Sequence, residues 1–172
     1  MRMTIAGLSP AAVLFALLVA AAPGAAPAQN SYAGPGPGPS ICRPSETVLF
    51  SCAIKTKTVS ICGQKQQDRA VYRFGRRGHV ELETADLHFA STGFSGGGEE
   101  QVLADTPTHR YVVYTGIYRT NYEDDGRHDP KEESGLFVQR GGQTISSQLC
   151  RASTVFNPLT RTLMPEGEYV QH

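Results

Sequence analysis

The sequence has no tryptophan, only three methionines, and no surplus of charge of either sign: 16 Lys+Arg stand against 16 Asp+Glu, for a formal net charge of zero. The missing positive surplus excludes the electrostatic footprint of a nucleic-acid binder and the polybasic patch of a membrane-surface protein. The longest apolar run, Ala11–Ala22, has 12 residues, short of the ~20 that a membrane-spanning helix needs. No C-x-x-C pair occurs and no histidine stands at metal-ligand spacing from a cysteine, so a zinc site lacks its ligands. No Gly-Lys-Ser/Thr follows the glycine-rich stretch, which removes the phosphate-cradling loop. Long segments of helical period with caps are missing, and with them the alternating strand–helix units of doubly wound enzymes. These absences lead us to expect a chain without metal, cofactor or catalysis.

What is present begins with a leader. Arg2 gives a positive start, Ala11–Ala22 an apolar stretch, and Ala26-Pro27-Ala28 small residues before Gln29. That order reads as a secretory signal covering residues 1–28. Its removal takes Arg2 with it and leaves 15 basic against 16 acidic residues. No cysteine lies directly behind the apolar stretch, so neither a lipid anchor nor a membrane anchor is expected after cleavage. Tyr32–Ser40 alternates Gly and Pro, a composition that buries little apolar area. Residues 29–40 therefore read as a disordered leader and residues 41–172 as a single β domain, periplasmic or secreted.

The body of the chain reads as strands. Short runs rich in Val, Ile, Tyr, Phe and Thr recur between turn signals: Glu46–Ile54, Thr58–Cys62, Arg69–Phe74, His79–Glu83, Asp86–Ser91, Glu99–Leu103, Arg110–Thr120, Gly135–Arg140 and Gln143–Cys150. Gly75 and Gly78 mark one hairpin and Gly141-Gly142 another, since glycine accepts the positive φ of tight turns. In Arg110–Thr120, Tyr111 and Val113 share one face while Val112, Tyr114 and Tyr118 share the other. A strand apolar on both faces belongs in the middle of a sheet. The fold class is all-β: an antiparallel meander closing into a small barrel or a sandwich, stapled by disulfides. The tail Ala152–His172 adds a strand or a helical turn.

Export puts Cys42, Cys52, Cys62 and Cys150 in an oxidising compartment, where two disulfides are the default. A first hairpin turning at Thr56-Lys57 sets Phe50, Cys52, Ile54, Val59 and Ile61 on one apolar face and Cys62 on the other, which disfavours Cys52–Cys62. Cys52 or Cys62 is then bonded to Cys150, joining the first and last strands. Strand adjacency favours Cys52. Parity favours Cys62, because Cys150 alternates with Ile145 and Leu149, which have the look of core residues. A crosslink over so long a loop contributes ~4 kcal/mol on the chain-entropy account.

Three features have the outline of chemistry. Gly93-Phe94-Ser95-Gly96-Gly97 matches the G-x-S-x-G elbow of serine hydrolases, which needs a strand before it and a helix after it. Gly98-Glu99-Glu100 and an early Pro107 follow instead, so a glycine-rich connection between strands fits better. As an alternative function, Ser95 would be a nucleophile with His109 or His128 as base. Asn121–Glu132 carries acidic residues and Gly126 at several calcium-loop positions, yet strands rather than helices flank it. His79, His88, His109, His128 and His172 are scattered. Arg73, Arg76 and Arg77 cluster at the first Arg-Gly hairpin, either as solvated turn residues or as a grip for an acidic partner.

The ordered motifs Phe50-Ser51-Cys52, Val59-Ser60-Ile61-Cys62, Tyr72-Arg73-Phe74-Gly75, Ser95-Gly96-Gly97-Gly98-Glu99 and Tyr111-Val112-Val113-Tyr114 resemble a group of small exported bacterial proteins of uncharacterised function. More loosely, the plan is similar to the C-type lysozyme inhibitors of bacterial envelopes. That resemblance implies a disulfide-bearing β-barrel whose Ser-Gly loop enters the enzyme's cleft, with Ser95-Gly96 and Glu99 or Glu100 as the matching loop. The spacing differs, the cysteines are more numerous, and the inhibitors' Tyr after Ser-Gly is missing. The expected binding residues are Ser95, Gly96, Gly97, Glu99, Arg76 and Arg77. The expected partner is an extracytoplasmic protein such as a lysozyme-like hydrolase. A structural or small-ligand-binding barrel is a further alternative.

Overall fold

The structure, a computed structural model, describes residues 39–172 except Tyr122; the expected signal segment and most of the expected leader lie outside the described residues. Nine strands follow in order: β1 (Thr47–Ile54), β2 (Lys57–Gln64), β3 (Arg69–Arg76), β4 (His79–Thr84), β5 (Leu87–Phe94), β6 (Gly97–Asp105), β7 (Arg110–Thr120), β8 (Asp129–Arg140) and β9 (Gln143–Leu149). They form two antiparallel meanders, β1-β2-β3-β4 and β5-β6-β7-β8-β9. Among the described residues no strand of one sheet pairs with a strand of the other. The arrangement is thus a sandwich rather than a closed barrel. β7 lies at the centre of its sheet, as its two apolar faces require.

Period-two alternation accounts for the core. Phe50, Cys52, Ile54, Val59, Ile61 and Tyr72 of the first sheet pack against Leu87, Phe89, Val102, Val113 and Leu136 of the second. Phe156, Leu163 and Met164 of the tail complete this layer, with the Phe156 ring 4.9 Å from that of Phe50. A 3-10 turn, Pro158–Thr162, carries them there, capped by Asn157, whose side chain accepts from the Leu159 amide. The tail then pairs with the free edge of β5 through a bridge between Phe89 and Glu166. The bridge takes up the Phe89 N–H and C=O that this edge would otherwise offer to another chain.

The first hairpin turns one residue earlier than expected. Lys55-Thr56 forms the turn, with Lys55 at φ 52°, and Cys52 lies opposite Val59 rather than Ile61. The slip relative to expectation is two residues, so every side chain keeps its face. The disulfides are Cys52–Cys150 and Cys42–Cys62. The parity argument for Cys62–Cys150 fails because β9 is an edge strand: Ile145 and Leu149 are each 56% exposed, and Cys150 points inward. Gly-Gly forms the β8–β9 turn as expected, with φ 56° and 79°.

Both sheets are also covered on the outside. On the first sheet, Ser51, Ser60, Cys62, Val71 and Arg73 point outward yet are buried. Residues 39–46 lie over them, tied by Cys42–Cys62, by Ile41 N–H donating to Ser60 Oγ at 3.2 Å, and by Ser51 Oγ donating to the Pro39 carbonyl at 3.0 Å. On the second sheet, Ala90, Leu103, Val112, Tyr114 and Phe137 form an outer cluster beneath Tyr169 and Val170.

Candidate functional site

The β5–β6 hairpin is tighter than its glycine content suggests. Phe94 pairs with Gly97, so the connection is the two residues Ser95-Gly96, and most of the glycine-rich connection expected between the strands ending at Ser91 and starting at Glu99 is itself strand. Gly96 takes φ 88°, and Arg119 fills the space where its side chain would be. A side chain on Gly97 would collide with the Ile117 carbonyl. The close approach that these glycines permit is therefore taken up inside the sheet, while Ser95 stays exposed at the tip.

Glu99 is not at the tip. It points to the outer face of the second sheet and is 3% exposed. Gln101 Nε2 donates to its Oε1 at 2.8 Å, the Tyr118 hydroxyl donates to Oε2, and His172 Nε2 lies 3.3 Å from Oε2. Opposite Gly116 on its two sides sit Glu99 and Glu133. The Tyr118 ring folds back over Gly116, where a Cβ would come 2.6 Å from its hydroxyl. Tyr114 folds over Gly135 in the same way and donates to Glu133 at 3.2 Å. Burial, then the hydrogen bond and charge of Glu99, pushes the Tyr118 hydroxyl well above the usual phenol range. Burial and the same carboxylate act likewise on Tyr169. Glu133 is held below the usual range mainly by the hydrogen bond from Lys131 at 2.7 Å.

These groups line an open groove of about 630 Å³ bounded by Phe94, Tyr118, Lys131, Glu133, Tyr169 and His172. Phe94 is 42% exposed and stacks on Tyr118 with centroids 5.7 Å apart. The groove thus presents a buried carboxylate behind aromatic rings, with one exposed ion pair on its far side.

The other expected site residues are dispersed. Arg76 and Arg77 lie at the β3–β4 turn of the first sheet, and Arg76 donates to Thr56. Arg73 is 1% exposed and belongs to a buried ion pair, not to a surface grip. Ser95 sits in a hairpin rather than a strand-to-helix elbow, at the opposite end of nine-residue β6 from His109, roughly 27 Å away at strand rise. In the acidic loop, Arg127 pairs with Glu123 and Asp125, and Asn121 donates to Asp129. Among the described residues, Cys42, Glu46 and Cys62 have metal-ligand proximity, but the two sulfurs are bonded to each other and Arg73 holds Glu46.

Sequence reasoning singled out Glu99 but missed Phe94, Tyr118, Glu133, Tyr169 and His172 as its neighbours. The alternation of β7 places Tyr114, Gly116 and Tyr118 on one face, which is the signal that glycine there leaves room for a tyrosine ring. The chain matches no family model, no curated protein and no solved structure.

Proposed function

We propose that this protein is an exported, non-catalytic protein-binding module whose working surface is the groove beside the β5–β6 hairpin together with the Ser95-Gly96 tip. The groove carries the reading: it is the place where the fold leaves a large aromatic surface and a charged rim open beside a buried carboxylate. The rigid frame supports it, since tight hairpins and two crosslinks leave little entropy to lose on binding. Two disulfides fit an oxidising environment outside the cytosol, in keeping with a periplasmic or secreted location. No described helix is long and apolar enough to cross a membrane.

The partner class is taken from the resemblance of the Ser-Gly tip to that of the C-type lysozyme inhibitors: a hydrolase with an open cleft, of the lysozyme type, which the tip enters. The test is lysis of bacterial cell walls by a purified C-type lysozyme with increasing amounts of this protein. The reading expects saturable inhibition that Ser95→Trp weakens at least tenfold. Undiminished lysis with no measurable complex contradicts the lysozyme-type partner. Ester or peptide hydrolysis by the protein itself, abolished in Ser95→Ala, contradicts a non-catalytic role.

A further inference from the structure

Among the described residues the side chains of two glutamates, Glu46 and Glu99, are buried, and they are partnered differently. Glu46, with a side chain 3% exposed, receives the Arg73 guanidinium on both oxygens, at 2.5 and 3.0 Å. Glu99, with a side chain 2% exposed, receives neutral donors and the imidazole of His172. Among the described residues no Lys or Arg lies within ion-pair distance of Glu99: Lys131 is paired with Glu133 and Arg161 with Glu100. A buried carboxylate is ordinarily matched by a full positive charge. Here the groove leads to it from solvent, walled by the exposed Phe94 ring and Tyr118, and the face of an aromatic ring attracts cations.

The present occupant shows what the site accepts. The His172 ring lies tilted against Tyr114 and Phe137, with centroids 4.5 and 4.6 Å away, while it reaches Glu99. Its segment is held by a Gln101 clamp on Val170, with Nε2 donating to the carbonyl at 2.7 Å and the Val170 amide donating to Oε1 at 3.0 Å. We infer that the groove is a binding site for an organic cation, the ammonium or guanidinium of a Lys or Arg side chain presented by the partner, which takes the place of His172 at Glu99. The inference rests on the groove being a binding surface and adds the chemistry that it recognises.

The experiment is a calorimetric and amide-NMR titration of the protein with N-acetyl-lysine methylamide and N-acetyl-arginine methylamide, with the norleucine analogue as uncharged control. The site predicts saturable shifts at Gly98, Glu99 and Gly116 with a charged probe and none with norleucine; the stronger of the two charged probes identifies the head group. Glu99→Gln weakens binding at least tenfold, Phe94→Ala weakens it several-fold without touching the core, and His172→Ala strengthens it several-fold by removing the resident competitor. Equal response to charged and uncharged probes, or unchanged affinity in Phe94→Ala and Glu99→Gln, overturns the cation site. If Glu99→Gln does not fold, Phe94→Ala and His172→Ala decide alone. Inhibition of a lysozyme without any response to these probes would overturn this inference while leaving the binding module in place.

Discussion

The outer covers of the two sheets solve one problem in opposite ways. Residues 39–46 are fixed to the first sheet by a disulfide and by a buried ion pair in which Arg73 binds Glu46 and also donates to Glu83 at 2.6 Å. Residues 166–172 are fixed to the second sheet by one edge bridge, one amide clamp, one imidazole and the packing of the half-buried Tyr169 and Val170 on the outer cluster. The first cover is built as permanent structure. The second has no crosslink and no Lys or Arg ion pair among the described residues: it is built from hydrogen bonds individually worth about 1 kcal/mol net and from two half-buried side chains, and it forms one wall of the groove. Function is expected where a fold invests least in closing itself.

The first cover loses most at the ion pair. Arg73→Met leaves the Glu46 carboxylate buried without its cation and is expected to cost about 3–5 kcal/mol, read as a lower midpoint in denaturant unfolding. Replacing Cys42 and Cys62 together by Ala opens a loop of separation 20, for which the chain-entropy account gives ~3.3 kcal/mol.

Acid attacks the same cover. Burial alone would raise Glu46, but hydrogen bonds from Arg73, Gln64 and the Arg43 amide outweigh it and hold the carboxyl at about 2, against 4.5 when free. A carboxyl lowered in the folded state stabilises above its unfolded value. That contribution, on the order of 3 kcal/mol, is full above pH 4.5 and is lost as pH falls toward 2. Unfolding midpoints measured across this window fall steeply for the native protein and much less for Glu46→Gln.

On the second sheet the effects are smaller. Gln101→Ala removes the clamp together with the donor to the buried Glu99 carboxylate, at a cost of about 1–3 kcal/mol. It frees the tail and leaves the first cover unchanged, as limited proteolysis of the two segments will show. A cost above that of Arg73→Met would erase the distinction between the covers.

Much of the frame was legible because period-two patterns and glycine turns are local. β7 matches its expected span Arg110–Thr120 in full, and the Gly141-Gly142 turn is where it was placed. The face of Cys62 followed from alternation even though the hairpin register slipped. The covers were not legible, because neither segment is periodic and each is held in place by residues far away in sequence. Arg73 therefore read as part of a surface cluster, and its partner Glu46, 27 residues earlier, gave no local signal. Edge position misled in the same way at Ile145 and Leu149, whose apolar side chains face solvent. Glu99 was singled out as an expected binding residue, but its tertiary neighbours Tyr169 and His172 come from the aperiodic tail.

A fixed first cover and a displaceable second one differ in native-state hydrogen exchange, which measures the difference directly. The Ile41 amide, bonded to Ser60 beneath the Cys42–Cys62 crosslink, is predicted to open only with global unfolding. The Val170 amide, bonded to Gln101, is predicted to exchange at least a hundredfold faster through local release of the tail. Equal protection of the two amides would contradict the account.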